Sequence, residues 1–211
     1  MNTNSKRIST RTLTILGILT AIEMIMAFTP LGSIPIGPIV ATLAHIPVII
    51  AAVTLGVGAG AYMGAAFGLL SFIVNTFVLP TPTSFIFTPF SPIGAVEGNF
   101  WSLVICFVPR ILLGVVAGLL YQWISKHDKR RYFAYSISAL VASLLHTVLV
   151  LGGVYVFFGQ PYAQVIGQAF SALLGLIMTV VLTNGVPEAI LAVVLTVAVG
   201  KALERLQRNR S

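Results

Sequence analysis

Seven polar or ionisable residues, Glu23, His45, Asn75, Arg110, His146, Asn184 and Glu188, interrupt stretches of this chain that otherwise read as lipid-soluble. Arg110 is the sharpest case, since no other charged residue lies between Gly98 and Ser125. A cation inside an apolar run is expensive, so its presence points to a ligand or a partner. Its planar fork of donors suits a carboxylate or a phosphate, so as a ligand contact it predicts an anionic or acyl-polar substrate. The other reading is that Arg110 neutralises Glu188 or Glu23 and ties helices together. His45, two residues before Pro47, either meets the ligand or satisfies carbonyls that the proline frees. His146 reads first as a helix-to-helix hydrogen bond, and Asn75 as a pocket amide or an interhelical link. Asn184, followed by Gly185 and Pro187, reads as a helix start in which Asn caps the free amides, with Glu188 complementing the dipole. The chain carries no nucleophile elbow, no HExxH and no GxxxxGK[ST] phosphate loop; each is a spacing that its chemistry requires. No catalytic residue, cofactor or metal ligand is assigned, and ATP hydrolysis is not expected of this chain.

The elements that position these residues must be membrane helices. The chain has 211 residues, 57% hydrophobic and 8% charged, with a mean hydropathy of +1.01, whereas soluble domains carry about 25% charge. That length accommodates about six spans of roughly 20 residues in a single domain, 1–211. The net charge of +7 does not mark a nucleic-acid binder, because eleven of the twelve Lys and Arg residues fall in three short clusters beside apolar runs. Lys6, Arg7 and Arg11 precede the first span, Lys126, Lys129, Arg130 and Arg131 form a central hinge, and Lys201, Arg205, Arg208 and Arg210 close the chain. The positive-inside rule places all three in the cytoplasm. The first apolar stretch is long for a signal peptide and has no small-x-small cleavage pattern, so it reads as a retained helix. The lone Cys106 reads as a small buried hydrophobe.

Spans are expected at about Thr12 to Thr29, Ile39 to Leu55 with a kink at Pro47, Val57 to Leu79, Phe100 to Ser125, Tyr132 to Phe158 and Val186 to Leu206. The apolar segment 163–182 would make a seventh. Two cytoplasmic clusters require an even number of crossings between them, so that segment is expected on the outer side, as a re-entrant or capping helix or an extension of a neighbour. The expected fold is therefore an all-α membrane protein of six transmembrane helices with both termini cytoplasmic. Arg110 then lies about 15 Å below the outer surface, and the other buried polar groups also fall in the outer half. An ion relay would continue inward, whereas a pocket open to the outside needs polar groups only there. Its roof is expected from Phe85, Phe87 and Phe90 with the Ile34 to Pro38 loop, Pro35 included. Gly56, Gly60, Gly64 and Gly68 recur every four residues, and Gly114 with Gly118 and Gly17 with Ala21 repeat the device. Such small-residue stripes let helices approach closely in lipid, within the bundle or against another subunit.

The runs IPIGPIVATLAHIPVIIAAVTLGVGAGAYMGAAFGLLSF, SFIFTPFSP, SLVICFVPRILLGVVAGL and TNGVPEAI together resemble the substrate-binding S component of prokaryotic energy-coupling factor (ECF) vitamin transporters. The resemblance implies a multi-pass protein of the prokaryotic cell membrane that captures a vitamin from outside with high affinity and works with a T component and two separate ATPases. The family's docking pattern on the first helix, AxxxA, has Gly17 and Ala21 at its small positions here. The segments GPIVATLAHIPVIIAAV and NGVPEA are most similar to pantothenate-type components, which implies a ligand whose carboxylate Arg110 meets and whose amide and hydroxyls use His45, Asn75 and Asn184. Riboflavin-type and pyridoxine-type components are the neighbouring readings; a stand-alone carrier or channel, and an intramembrane enzyme, are the readings from other classes.

Overall fold

The computed structural model describes residues 9–36, 39–90, 93–94 and 96–208, without the side chains of 31, 33–36, 39–41 and 207–208. Lys6, Arg7, Pro38 and Arg210 and the Pro35 side chain lie outside what is described. Among the described residues, five helical stretches are long and apolar enough to cross a membrane, and a sixth apolar helix, Ile46–Leu55, is shorter.

Helix α1, Thr10–Phe28, starts where the Ser9 hydroxyl accepts from the Thr12 amide at 3.2 Å, and it stops ahead of Pro30. A 3-10 turn, Pro30–Gly32, leads into an antiparallel hairpin of β1, Ser33–Ile36, and β2, Ile39–Thr42, in which Ile36 pairs with Ile39. This corrects one expectation: the second helix does not begin at Ile39, because a short hairpin precedes it in an otherwise helical fold. Helix α2 is Ile46–Leu55 with Pro47 in its first turn. Proline has no N–H to give the helix and is best accommodated in the first turn, where that N–H would be unpaired, so Pro47 sets the start of α2 and does not kink it.

Gly56, at φ 102°, breaks the chain between α2 and α3, Val57–Ile73. That φ is open to glycine and strained for other residues. A π turn, Val74–Val78, closes α3. Helix α4, Phe100–Ile124, is started by a capping box of Asn99 and Ser102 and carries Pro109 in its interior. The glycine stripes meet along α3 and α4. A Cβ on Gly60 would strike the Gly114 carbonyl, one on Gly114 would strike Gly60, and one on Gly64 would strike the backbone of Arg110.

The hinge turns through Arg131 at φ 58° into α5, Tyr132–Val165. Asp128 holds that turn by accepting from the amides of Arg130 at 3.1 Å and Ala134 at 3.0 Å. Desolvation pushes the Asp128 carboxyl up, but the backbone amides outweigh it and keep it below the ordinary carboxylate range. Helix α5 bends at Phe158, whose φ is −131°, and runs past Pro161 to Val165. Helix α6, Phe170–Val180, then passes through a second π turn, Val181–Gly185, directly into α7, Val186–Arg208. The segment 163–182 is thus no separate capping element: its first residues end α5 and its remainder extends the last helix. Asn184 caps no helix start, because it sits inside that π turn. The i to i+5 pattern widens the helix just where Pro187 lacks an N–H, so the chain continues where an α-helix would stop.

One apolar core joins α1, α2, α3, α4, α5 and α7 through Leu19, Ile49, Met63, Leu113, Ala139 and Ala192. A second gathers Phe85 and Ile86 from the loop after α3 against Ile105, Val154 and Phe158. The 85–86 loop is therefore packed into the bundle and not merely draped over it.

Candidate functional site

Arg110 is 5% exposed, and its backbone lies where Gly64 lets α3 approach closely. The guanidinium lies 4.9 Å from the Phe87 ring centre and 5.5 Å from that of Phe67. A cation desolvated against aromatic faces gains electrostatic attraction that partly replaces water. Nη1 donates to the Ile105 carbonyl, whereas Nε is buried without a partner. Among the described residues the ion pairs are Arg131 with Glu204 and Lys201 with Glu204, so neither Glu23 nor Glu188 neutralises Arg110.

Beside it stand two histidines from different elements. His45, at the start of α2, and His146, on α5, stack with ring centres 6.1 Å apart and planes 17° off parallel. His146 also lies 6.1 Å from Phe67. His45 Nε2 shares a hydrogen bond with the Ser143 hydroxyl at 3.0 Å, while His146 Nε2 is buried and unpartnered. Ser143 is one turn before His146, which puts both on one face of α5. Arg110, His146, His45, Phe67, Phe87 and Ser143 thus converge from four helices and one loop. Two of their buried nitrogens, Arg110 Nε and His146 Nε2, lack hydrogen-bond partners, an uncommon condition that an anionic or hydroxyl-bearing ligand would relieve.

The other sequence candidates lie around this cluster or apart from it. Asn75 donates to the Ser71 carbonyl at 2.8 Å and accepts from the Ser84 hydroxyl at 3.1 Å, so it anchors the loop that carries Phe87. The same loop is held by Thr76 to Thr88 at 2.8 Å and by the Ser102 hydroxyl on the Phe85 carbonyl at 2.6 Å. Phe85 is buried edge-on to Phe158 at 5.5 Å, and Phe90 is 68% exposed and edge-on to Phe72. Of the three roof aromatics only Phe87 meets Arg110. Glu188 accepts from the Thr42 amide at 2.7 Å and so pins the end of β2 to α7. Asn184 accepts from the Thr183 hydroxyl at 2.9 Å. Glu23 is fully buried with both carboxyl oxygens unpartnered. Gly17 and Ala21 are exposed and line, with Leu16, Thr20, Gly58 and Tyr62, a groove of about 790 Å³ between α1 and α3.

Sequence reasoning missed Phe67 and Ser143. Ser143 had a usable signal, three residues before a buried histidine; Phe67 had none, since a phenylalanine in an apolar helix is the commonest kind of filler.

Residues 11–200 match the sequence model of the family described as "ECF transporter, substrate-specific component". The chain is 40% identical over 173 residues to the pantothenic acid transporter PanT of Lactococcus lactis subsp. cremoris, covering 82% of each chain. It is 29% identical over 190 residues to the pantothenate transporter PanT of Leuconostoc mesenteroides subsp. mesenteroides, covering 87% of each. A solved structure, the S-component for biotin from an ECF-type ABC transporter, aligns over 95% of both chains at 19% identity and a TM-score of 0.48.

Proposed function

Because the chain belongs to the family of ECF transporter substrate-specific components, we propose that it binds pantothenate from the outer face of a bacterial cell membrane for ATP-driven import. The observation that carries this reading is the buried Arg110 guanidinium, which has no acidic partner among the described residues and leaves Nε free. A vitamin carboxylate completes it, as the planar fork of an arginine favours. Pantothenate also carries an amide and two hydroxyls, which find His146 Nε2 and the His45 and Ser143 pair close by. Two relatives named as pantothenate transporters support the same ligand.

In this reading six helices cross the membrane with both termini inside, α2 being the short one, and the site opens outward beneath the hairpin and the Phe87 loop. Glu23, Asn75, Asn184 and Glu188 complete the outer half of the site. Transport requires a T component, which docks over Gly17 and Ala21, and two ATPase subunits. The test is thermal stabilisation of the detergent-purified protein against a panel of B vitamins, since a ligand that binds only the native state raises the melting temperature. Pantothenate is expected to give the largest rise. A larger rise with riboflavin or pyridoxine, or none with pantothenate, overturns the assignment.

A further inference from the structure

Pro109 sits in the interior of α4 rather than at its end. A helical residue at that position donates its backbone N–H to the carbonyl of Ile105, four residues back. Proline has no N–H, and its ring crowds that carbonyl. A carbonyl left unpaired deep in a membrane helix is costly, because nothing around it replaces the water it has lost. Here it is not left unpaired, because Arg110 Nη1 donates to it. The arginine side chain runs back toward the start of its helix, as long helical side chains do. One hydrogen bond therefore resolves two buried polar groups. It also fixes the guanidinium against Phe67 and Phe87 while Nε stays uncommitted. A free arginine side chain samples many rotamers, and removing that freedom before the ligand arrives is preorganisation.

We propose that Pro109 is a positioning residue for ligand recognition: by withholding its N–H it leaves the acceptor that clamps Arg110 and aims the remaining donors at the ligand's anion. The proposal rests on the carboxylate-vitamin reading above. Replacing Pro109 with Ala or Ser restores the N–H, returns the Ile105 carbonyl to the helix ladder and releases Nη1. The residue at 109 touches no ligand in this scheme; its effect passes through Arg110.

The test compares pantothenate with pantothenol, in which a hydroxymethyl group replaces the carboxylate, on wild type, Pro109→Ala, Pro109→Ser, Arg110→Gln and the Pro109→Ala/Arg110→Gln double variant. Pro109→Ala is expected to weaken pantothenate binding at least tenfold and to change pantothenol binding less than twofold. The effect should vanish in the Arg110→Gln background, as a double-mutant cycle reads it. If Pro109→Ala fails to fold, Pro109→Ser is read by the same criteria. Equal loss for both ligands, no loss for either, or a loss that persists without Arg110 overturns the proposal. Should wild type bind no pantothenate, the vitamin assignment falls, and side-chain NMR then decides the role of Pro109 alone. Hydrogen-bonded Arg110 Nη1 protons, assigned by their absence in Arg110→Gln, should be protected in wild type and averaged in both Pro109 variants; unchanged protection overturns the proposal.

Discussion

Arg110 and Glu23 are both charged-type residues buried at membrane depth, but their surroundings ask for different tests. Arg110 lies against two aromatic rings with Nε unpartnered, a setting that the proposed carboxylate would complete. Arg110→Gln should therefore weaken pantothenate binding at least tenfold in calorimetry while the protein still purifies folded; unchanged affinity would return Arg110 to a purely structural role. Glu23 has two buried oxygens without partners, each of which carries a desolvation penalty on the order of 1 to 3 kcal/mol. Glu23→Leu is accordingly expected to raise the melting temperature of the ligand-free protein, and a fall would mean that the carboxyl has a partner in the unliganded state. Arg110 was legible in the sequence because a single charge in an apolar run has nowhere else to hide. Its neighbours were legible only in part: Phe67 looks like any core phenylalanine, and which of the expected roof aromatics reaches the cation depends on how one loop is pinned by Asn75, Ser84, Thr88 and Ser102.

Between residues and fold stands the seam of α3 and α4, where glycine faces backbone at Gly60, Gly64 and Gly114. Because the atom opposite Gly64 is the Arg110 carbonyl oxygen, a side chain there meets backbone that cannot swing away. Gly64→Ala should lower stability by about 1 to 3 kcal/mol, the usual range for overpacking a tight core, and should displace Arg110 so that pantothenate binding falls along with the melting temperature. A variant that melts like wild type would show that the seam has slack. Spacing alone revealed the glycine stripes. It could not reveal the hairpin at 33–42, because four-residue strands separated by glycine and proline give too short a pattern for periodicity. Pro47 was visible but ambiguous, since the same residue either kinks a helix or begins one, and only the hairpin before it settles the choice.

At the scale of the whole molecule, the exposed faces matter most. Among the described residues nothing outside its own helix would lie within 4 Å of a side chain started at Gly17, and with Ala21 it lines the groove of about 790 Å³ between α1 and α3. Gly17→Leu or Ala21→Leu should leave vitamin binding intact and abolish ATP-dependent uptake into proteoliposomes that hold the T component and ATPases; lost binding would mean that the face is internal packing. The number of helices was largely legible from hydropathy and the basic clusters, but the division of the final third was not. The sequence pattern of 163–208 does not distinguish two elements from one, and the π turn that fuses α6 to α7 leaves no trace beyond Pro187. That turn has a consequence for how such a chain varies over generations. A π turn is what a helix becomes when it absorbs one extra residue, and each residue gained or lost rotates what lies beyond it by about 100°. Deleting a single codon within Val181–Gly185 would swing Leu173 and Ile177 off their seat against Ala163 while leaving α7 in register with the rest of the bundle. The part of the bundle that holds Leu173 and Ile177 is thus open to heritable re-tuning by length as well as by substitution, independently of the helix that follows the turn.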